Sequence, residues 1–202
     1  MNELKSNKSS AFTVLFCIVS AFAFAVVALR SYFVPFNHDE TATFFFFIQS
    51  GNYMPFHSAV DANNHVLNSF LGNICFHLFG SSPFALRIPN LLGLIVLIFG
   101  TYKISKNLNQ LGSKILLTSL LLLSFHWLSF FAACRGYGLS LALLIAGVSF
   151  MLEFINTPAK RNKFLLSILF FQLAISANLI LIIVVLLLSG IMFVIQITNK
   201  CL

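Results

Sequence analysis

The chain has 202 residues, of which 59% are hydrophobic and only 8% are charged, and its mean hydropathy is +0.95. A soluble domain carries roughly a quarter charged residues, so this chain lacks the charge that would cover a water-facing surface. Its net charge of +7 comes from cations in short connectors between apolar runs, which is the positive-inside pattern and not a basic nucleic-acid surface. Composition therefore excludes a nucleic-acid-binding domain and predicts an integral membrane protein built from several hydrophobic helices.

The first predicted helix is the unbroken apolar run Ala11–Leu29, which follows Lys5 and Lys8. A cleavable signal peptide has a shorter apolar core of about 7–15 residues. We therefore expect a retained membrane span, with residues 1–10 forming a cytoplasmic N-terminus.

A polar stripe marks the next helix, which is predicted over Val66–Phe79. His65, Ser69, Asn73 and His77 recur every four residues and so share one helix face. The opposite face is apolar and consists of Leu67, Phe70, Leu71, Ile74 and Leu78. The run is shorter than the roughly 20 residues of an upright span. We expect an amphipathic helix in the membrane interface, which leaves residues 30–83 as one outer loop without a crossing.

Four further apolar runs follow this outer loop. They are Leu86–Tyr102, Ile115–Ala133, Leu139–Ile155 and Phe164–Thr198. The last run is too long for one span of about 20 residues, and its internal Ser-Ala-Asn triplet at 176–178 predicts a turn between two short spans. Together with the first helix, the chain is expected to contain about six transmembrane helices.

Two basic connectors orient these helices, and both are predicted to be cytoplasmic. Their cations are Lys103, Lys106 and Lys114 in one connector, and Lys160, Arg161 and Lys163 in the other. Two spans lie between the connectors, and an even number of crossings is what two connectors on the same side of the membrane require. The outer ends of those two spans, near Arg135, and the outer end of the preceding span, near Arg87, then lie on the same side as the outer loop.

Asp39 and Glu40 stand just beyond the first helix. They are a solvated pair of loop carboxylates, or an N-cap for a helix over residues 41–49, or a general base at the membrane surface that takes a proton from an acceptor hydroxyl as that hydroxyl attacks. His65 heads the polar stripe, and although a lone histidine is usually a satisfied polar residue, it is a candidate for facing the same cavity. The three side chains are also of the types that hold a divalent cation, which the sequence does not require.

Arg87 and Arg135 lie at the outer ends of two predicted spans, and Tyr137 follows Arg135. Boundary arginines commonly extend towards lipid headgroups. The alternative is that both arginines bind a phosphate or pyrophosphate at the outer leaflet, since the planar guanidinium suits that group. The four cysteines contain no CxxC pair and are expected to be small buried hydrophobic residues, not zinc ligands or redox groups. They are Cys17, Cys75, Cys134 and Cys201.

Four segments in order resemble motifs of the polyprenyl-phosphate-dependent glycosyltransferases with the GT-C fold. The group includes protein O-mannosyltransferases and the bacterial lipid A aminoarabinose transferases. NHDE at 37–40 resembles their acidic first-loop motif, and DANNHVL at 61–67 resembles D-x-N-H-P-P-L. FGSSPFALRIP at 79–89 is similar to F-G-x-S-x-x-A-L-R-x-P, and CRGY at 134–137 to A-R-x-Y. Val66 and Leu67 stand where the family has prolines.

The resemblance implies a GT-C-like transmembrane module over residues 11–198, with interfacial helices in the outer loop 30–83 and a short tail at 199–202. It implies an inverting transferase that moves a sugar from a polyprenyl-phosphate carrier to a lipid, glycan or protein acceptor. Asp39 matches the catalytic base, and Glu40 would support or orient it. The residues that match substrate-binding positions are His65, Arg87, Arg135 and Tyr137.

Two further expectations concern context. Proteins of this kind usually run to several hundred residues, so the chain is expected to be an N-terminal portion of one. It is expected in a bacterial cytoplasmic membrane with the site on the outer face, or in the endoplasmic reticulum membrane if the host is a eukaryote. The alternative is a non-catalytic membrane protein, either a transporter or a lipid-binding subunit. A transporter would place ionisable residues near mid-membrane, whereas here they gather at the ends of the spans.

Overall fold

The computed structural model describes residues 2–58, 61, 64–157 and 161–198, and within these ranges the chain is helical and contains no strand. The helices are α1 (Asn2–Phe33), α2 (His38–Thr43), α3 (Val66–Phe79), α4 (Pro83–Asn107), α5 (Leu111–Leu122), α6 (Phe125–Phe131), α7 (Gly136–Asn156), α8 (Arg161–Ala177) and α9 (Ile182–Thr198). A π-helical turn, Phe44–Gln49, continues α2, and a 3-10 turn, Leu179–Leu181, precedes α9.

Four helices in the described part of the chain are long and apolar enough to cross a membrane. They are Ser10–Phe33 within α1, α4, α7, and Leu179–Thr198, which includes α9. α5 and α6 make a fifth if the two are counted as one broken span. α8 has 17 residues and is shorter than these spans. The architecture is therefore that of an α-helical membrane protein with four or five candidate spans, and the predicted count of about six is not confirmed.

The predicted run Ile115–Ala133 is not one straight helix, because α5 and α6 meet at an angle of 49°. Ser124 adopts an extended backbone between them, where the polar residues Ser124 and His126 interrupt the apolar sequence. Beyond the bend, Leu128 and Phe131 are buried in a core that also includes residues of α1, α4 and α7. The turn that the sequence predicts at residues 176–178 is confirmed. Asn178 ends α8 in an extended conformation, and its Oδ1 accepts a hydrogen bond from Ile180 N at 3.2 Å.

Contacts between helices fix their directions. α4 and α7 run parallel, since Asn90 Oδ1 accepts from Leu139 N at 3.1 Å near their beginnings, and Asn107 contacts Asn156 at their ends. α8 returns antiparallel to α7, with Ser167 Oγ donating to Gly147 O at 2.9 Å.

With these directions, the bundle has two distinct ends. At one end, Glu153 accepts hydrogen bonds from both Lys103 and Lys163 at 2.8 Å. This contact confirms that the two basic connectors lie at the same end, which we call the connector end. The other end gathers the end of α1, α2, and the beginnings of α4 and α7, and we call it the site end.

The bounds of α3 are those that the polar stripe predicts, and the described residues between α1 and α4 contain no candidate span. The environment of the stripe differs from a solvated one, because Ser69 is fully buried and Asn73 Nδ2 donates to Ile48 O at 2.7 Å. The exposed side chains on this helix include Phe70, Ile74 and Leu78. α3 therefore turns Ser69 and Asn73 towards the protein, whereas His77 is exposed. Its outward face carries large apolar side chains, as a surface in contact with lipid favours.

Candidate functional site

A capping box begins α2 and places the acidic pair. Asn37 Oδ1 accepts a hydrogen bond from Glu40 N at 2.8 Å, and Glu40 Oε2 accepts one from Asn37 N at 3.2 Å. The two bonds satisfy backbone donors that a helix N-terminus leaves unpaired. The predicted N-cap role of the acidic pair is therefore wrong, because Asn37 is the N-cap residue and the helix begins at His38. Glu40 takes part in the capping box from inside the helix, as its third residue.

Glu40 and Arg87 form a buried ion pair at the site end, which we call the closed pair. Arg87 Nε donates to Glu40 Oε1 and Nη2 donates to Oε2, both at 2.8 Å, and the two side chains are only 2% and 1% exposed. Arg87 also donates to the carbonyl oxygens of Ser31, Val34 and Pro35, at 3.1, 2.6 and 3.2 Å. These contacts occupy all five guanidinium N–H donors.

The saturation of Arg87 contradicts its predicted role as a phosphate-binding residue in this conformation. A guanidinium with no free donor and almost no exposed surface offers a ligand nothing to bind. Arg87 instead fixes the chain segment that leaves α1. Its partner Glu40 is equally enclosed, and its carboxylate oxygens face Arg87 and backbone N–H groups.

Asp39 and Arg135 form a second ion pair, which we call the open pair. Arg135 Nη1 donates to Asp39 Oδ2, and the Asp39 side chain is 49% exposed whereas that of Arg135 is 12% exposed. Arg135 Nη2 also donates to the Tyr137 hydroxyl at 3.3 Å, and the guanidinium lies 5.0 Å from the centre of the Tyr137 ring. The structure thus brings together three predicted site residues and leaves the carboxylate of Asp39 accessible.

The closed pair holds the open pair in place through the backbone. Glu40 Oε1 accepts a hydrogen bond from Cys134 N at 2.6 Å. Because Glu40 follows Asp39 and Cys134 precedes Arg135, this one contact joins the two segments that carry the open pair.

The cysteine predictions are confirmed in part. Cys75 and Cys134 are buried, and burial, reinforced by the nearby Glu40 charge, raises the pKa of the Cys134 thiol to about 12. Cys17 is exposed, so its predicted burial is wrong, because it lies on an outward face of α1. Cys201 lies outside the described residues.

A cavity of about 320 Å³ opens beside the open pair. Its charged lining residues are Arg30, Asp39, Glu40, Arg87 and Arg135. Tyr137 and Phe130 add aromatic surface. We call this the Asp39 cavity.

Arg30 is the lining residue that the sequence reasoning missed. It lies in the last turn of α1, its Nε is buried without a hydrogen-bond partner, and its guanidinium lies 4.7 Å from the centre of the Phe125 ring. The available signal was its position, because Arg30 ends an apolar span nine residues before Asp39. Like Arg87 and Arg135, Arg30 is a basic residue at the outer end of a predicted span, so it was an equal candidate for binding phosphate.

His65 does not share the Asp39 cavity as predicted, but lines a second cavity of about 500 Å³ between the start of α3 and the α8–α9 junction. Its Nδ1 donates to Ala177 O at 3.0 Å, which leaves Nε2 as a buried acceptor without a partner. Desolvation, with a smaller contribution from the Arg135 charge, lowers the pKa of His65 from 6.5 to about 4. The ring of Tyr137 lies 4.8 Å from that of His65 and so stands between it and Arg135.

The predicted cation ligands do not converge. Both oxygens of Glu40 are engaged by Arg87 and backbone N–H groups, and His65 lies beyond Tyr137. In the part of the chain that the structure describes, no three His, Cys, Asp or Glu side chains are grouped so as to hold a metal ion.

No family model, curated protein or solved structure matches this chain. What the site can do chemically is therefore set by its own residues: an accessible carboxylate, an adjacent guanidinium, a second guanidinium across the cavity, and an aromatic wall.

Proposed function

We propose that this chain is a membrane glycosyltransferase, or the part of one, that moves a sugar from a polyprenyl-phosphate carrier to an acceptor hydroxyl. The observation that carries the proposal is the half-exposed carboxylate of Asp39, which lines a cavity together with the guanidinium groups of Arg30 and Arg135. A base and a phosphate-binding cation side by side are what such a transfer requires. The motif resemblance over residues 37–137 supports the same chemistry.

The transfer is a single displacement. Asp39 accepts the proton of the acceptor hydroxyl while the hydroxyl oxygen attacks the anomeric carbon of the sugar. The bond from that carbon to the phosphate oxygen breaks, its electron pair stays on the oxygen, and the prenyl monophosphate leaves. Attack opposite the leaving group inverts the anomeric centre. Arg135 and Arg30 offset the charge that develops on the phosphate.

The other predicted site residues take different parts in this proposal. Glu40 and Arg87 are positioning residues, because the closed pair fixes the backbone on both sides of the open pair. Tyr137 forms the wall of the Asp39 cavity against which Arg135 stacks. A role for His65 in binding substrate stays a prediction, and it would act in the second cavity.

The topology in the proposal has the site end outside the cytoplasmic membrane of a bacterium. Single cysteines at positions 61, 82, 108 and 161 of an otherwise Cys-free chain test this arrangement in intact cells. We expect an impermeant thiol reagent to label 61 and 82 from outside and to reach 108 and 161 only after the membrane is opened. Labelling of position 82 from inside would mean that α3 crosses the bilayer, which contradicts the proposed outer loop.

The activity itself is tested in membrane vesicles from cells that produce the chain. The vesicles are supplied with prenyl-phosphate-linked mannose, glucose, galactose, N-acetylglucosamine or aminoarabinose, and release of prenyl monophosphate is followed by mass spectrometry. We expect turnover of at least one donor, and Asp39→Asn is expected to lower the rate by a factor of about 100 or more.

The matched control is Glu153→Gln, which makes the same chemical change at a carboxylate of the connector end, away from both cavities of the site end. It should retain the parent rate. Equal rates for Asp39→Asn and the parent would refute the assignment of the base, and turnover of none of the donors would contradict the proposed function.

A further inference from the structure

Five charged side chains line the Asp39 cavity, and four of them are neutralised in pairs. The pairs are Glu40 with Arg87 and Asp39 with Arg135. Arg30 forms no ion pair with any residue that the structure describes, and its Nε is buried without a hydrogen-bond partner. Its contact with the face of the Phe125 ring does not neutralise the guanidinium. The cavity therefore carries one positive charge that its lining does not offset.

We propose that Arg30 holds the phosphate of a singly charged phosphodiester, and that Arg135 exchanges Asp39 for this phosphate when the second negative charge develops. This inference rests on the proposed function and assigns the side chains that hold its phosphate. A partly buried guanidinium is costly unless an anion pairs with it, and phosphate oxygens match its planar donors. A diphosphate-linked carrier has at least two negative charges and would leave the cavity with excess negative charge.

The charges balance on both sides of the reaction. Before transfer, the open pair is neutral and Arg30 offsets the one charge of the diester. During transfer the proton of the acceptor hydroxyl moves to Asp39, which loses its charge, and the phosphate gains its second charge as the bond to the sugar breaks. Arg135 is thereby released from its internal partner at the step in which the phosphate needs another cation. The cavity and ligand together stay neutral throughout, which avoids an unpaired charge in a partly buried site.

The surroundings of Arg30 favour a lipid-linked phosphate over a free one. Val34 lines the cavity and is 43% exposed, and Phe125, on which Arg30 stacks, is 69% exposed. An apolar rim at the end of a candidate span suits a prenyl chain that runs from the phosphate into the membrane.

Binding can be measured without turnover. Trp127 is the only tryptophan in the chain, and its ring lies 6.0 Å from that of Phe130, which lines the cavity. Its fluorescence, with isothermal titration as a second readout, reports binding to the full chain in nanodiscs. The probes are the methyl diester of a prenyl phosphate, the prenyl monophosphate, the prenyl diphosphate and inorganic phosphate.

We expect the parent chain to bind the diester more tightly than the diphosphate. Arg30→Gln should weaken diester binding by a factor of about 10 or more, and Arg30→Lys by less, because a cation remains. The matched control is Arg161→Gln, which removes the same charge from an exposed position at the connector end. It should bind as the parent does.

The exchange of partners predicts an increase in affinity, which a merely structural role of Asp39 does not. Asp39→Asn imitates the uncharged carboxyl group and frees Arg135, so it should bind the prenyl monophosphate about tenfold more tightly than the parent at pH 8. Unchanged or weaker binding would refute the exchange.

The remaining outcomes are equally decisive. Diester binding by Arg30→Gln that equals the parent would overturn the assignment of Arg30. The four probes, compared on the parent chain, test the same inference without any variant. Tighter binding of the diphosphate than of the diester would overturn the singly charged substrate. Inorganic phosphate that binds as tightly as the diester would overturn the lipid-linked ligand. Arg30-dependent diester binding in a chain without transferase activity would uphold this inference while the proposed function fails.

Discussion

The closed pair and the open pair are made from adjacent carboxylates and from two arginines that the sequence presents in the same way, yet their surroundings are opposite. Glu40 and Arg87 are almost wholly enclosed, and every donor of the arginine is used. Asp39 is half exposed beside a cavity. An arginine–carboxylate pair stabilises the fold where all its hydrogen bonds are formed within the protein. It is available for chemistry where a cavity leaves the carboxylate accessible.

The largest expected effect separates the two arginines by stability. Arg87→Ala leaves Glu40 charged and buried and removes the donors for three carbonyl oxygens, so it should lower the free energy of unfolding by about 3–5 kcal/mol. Arg135→Ala should lower it by about 1 kcal/mol or less, as expected for a partly exposed pair. Thermal unfolding of the purified chain in one detergent measures both.

Arg87→Lys sharpens this test, because a lysine keeps the charge but supplies three donors in place of five. We expect it to be nearly as unstable as Arg87→Ala. If Arg87→Ala and Arg135→Ala were equally stable, the distinction between the closed and open pairs would fail.

The second test concerns His65, which lines the second cavity. Its pKa is about 4 in the folded chain, whereas an unperturbed histidine has a pKa of 6.5, so the unfolded chain binds the proton more readily between these values. The contribution of neutral His65 to stability is therefore complete above about pH 6.5 and falls as the pH drops towards 4, by about 3 kcal/mol in total. Unfolding temperatures from pH 7.5 to pH 4 should show this loss.

The matched variant His65→Gln should flatten that part of the profile, since the other described histidines, which are exposed, are unchanged in it. Identical profiles for the two chains would show that burial of His65 has no energetic consequence. Arg135→Gln should make the loss slightly smaller, because removal of the nearby positive charge raises the pKa of folded His65 towards that of the unfolded chain.

Gly136, next to Arg135 of the open pair, tests how closely this segment packs against Ala177 and His65. A Cβ atom there would collide with the carbonyl oxygen of Ala177 and come within 2.7 Å of the His65 ring. Gly136→Ala should therefore cost about 1–3 kcal/mol and displace Arg135 next to it. Gly112→Ala, in α5, meets no atom within 4 Å and should instead stabilise its helix by about 0.5–1 kcal/mol. Equal unfolding temperatures for these two variants would contradict the close packing at Gly136.

Much of the fold follows from hydrophobic period and length. The limits of α3, the break at Asn178 and the shared end of the two basic connectors were all predictable, because each depends on local pattern or on the charge rule. The bend between α5 and α6 was not, since an apolar run of suitable length is also compatible with a straight span. The bend is decided by the burial of Leu128 and Phe131 against helices that are distant in sequence.

The site was predictable as a set of residues but not as an arrangement. Asp39, Arg135 and Tyr137 meet as expected, yet Arg87 and Glu40 turn inwards, and His65 faces another cavity. Sequence places residues at the ends of spans but does not show which donors the neighbouring backbone consumes. The donors of Arg87 are consumed by three carbonyl oxygens, that of Ser31 in the last turn of α1 and those of Val34 and Pro35 just after it. Every residue has a carbonyl oxygen, so the sequence does not show that these three are the acceptors.

The smallest expected effect on stability is also the sharpest contrast between the pairs. Asp39→Asn keeps the size of the side chain and leaves Arg135 its contact with Tyr137, so the free energy of unfolding should change by less than about 1 kcal/mol. Glu40→Gln, one residue away, leaves Arg87 buried beside a neutral amide and should cost several times more. Thermal unfolding of the two variants side by side, with the vesicle assay on the same preparations, measures this. A large loss of stability in Asp39→Asn would mean that the open pair holds the fold together, and its loss of activity would then say nothing about a base.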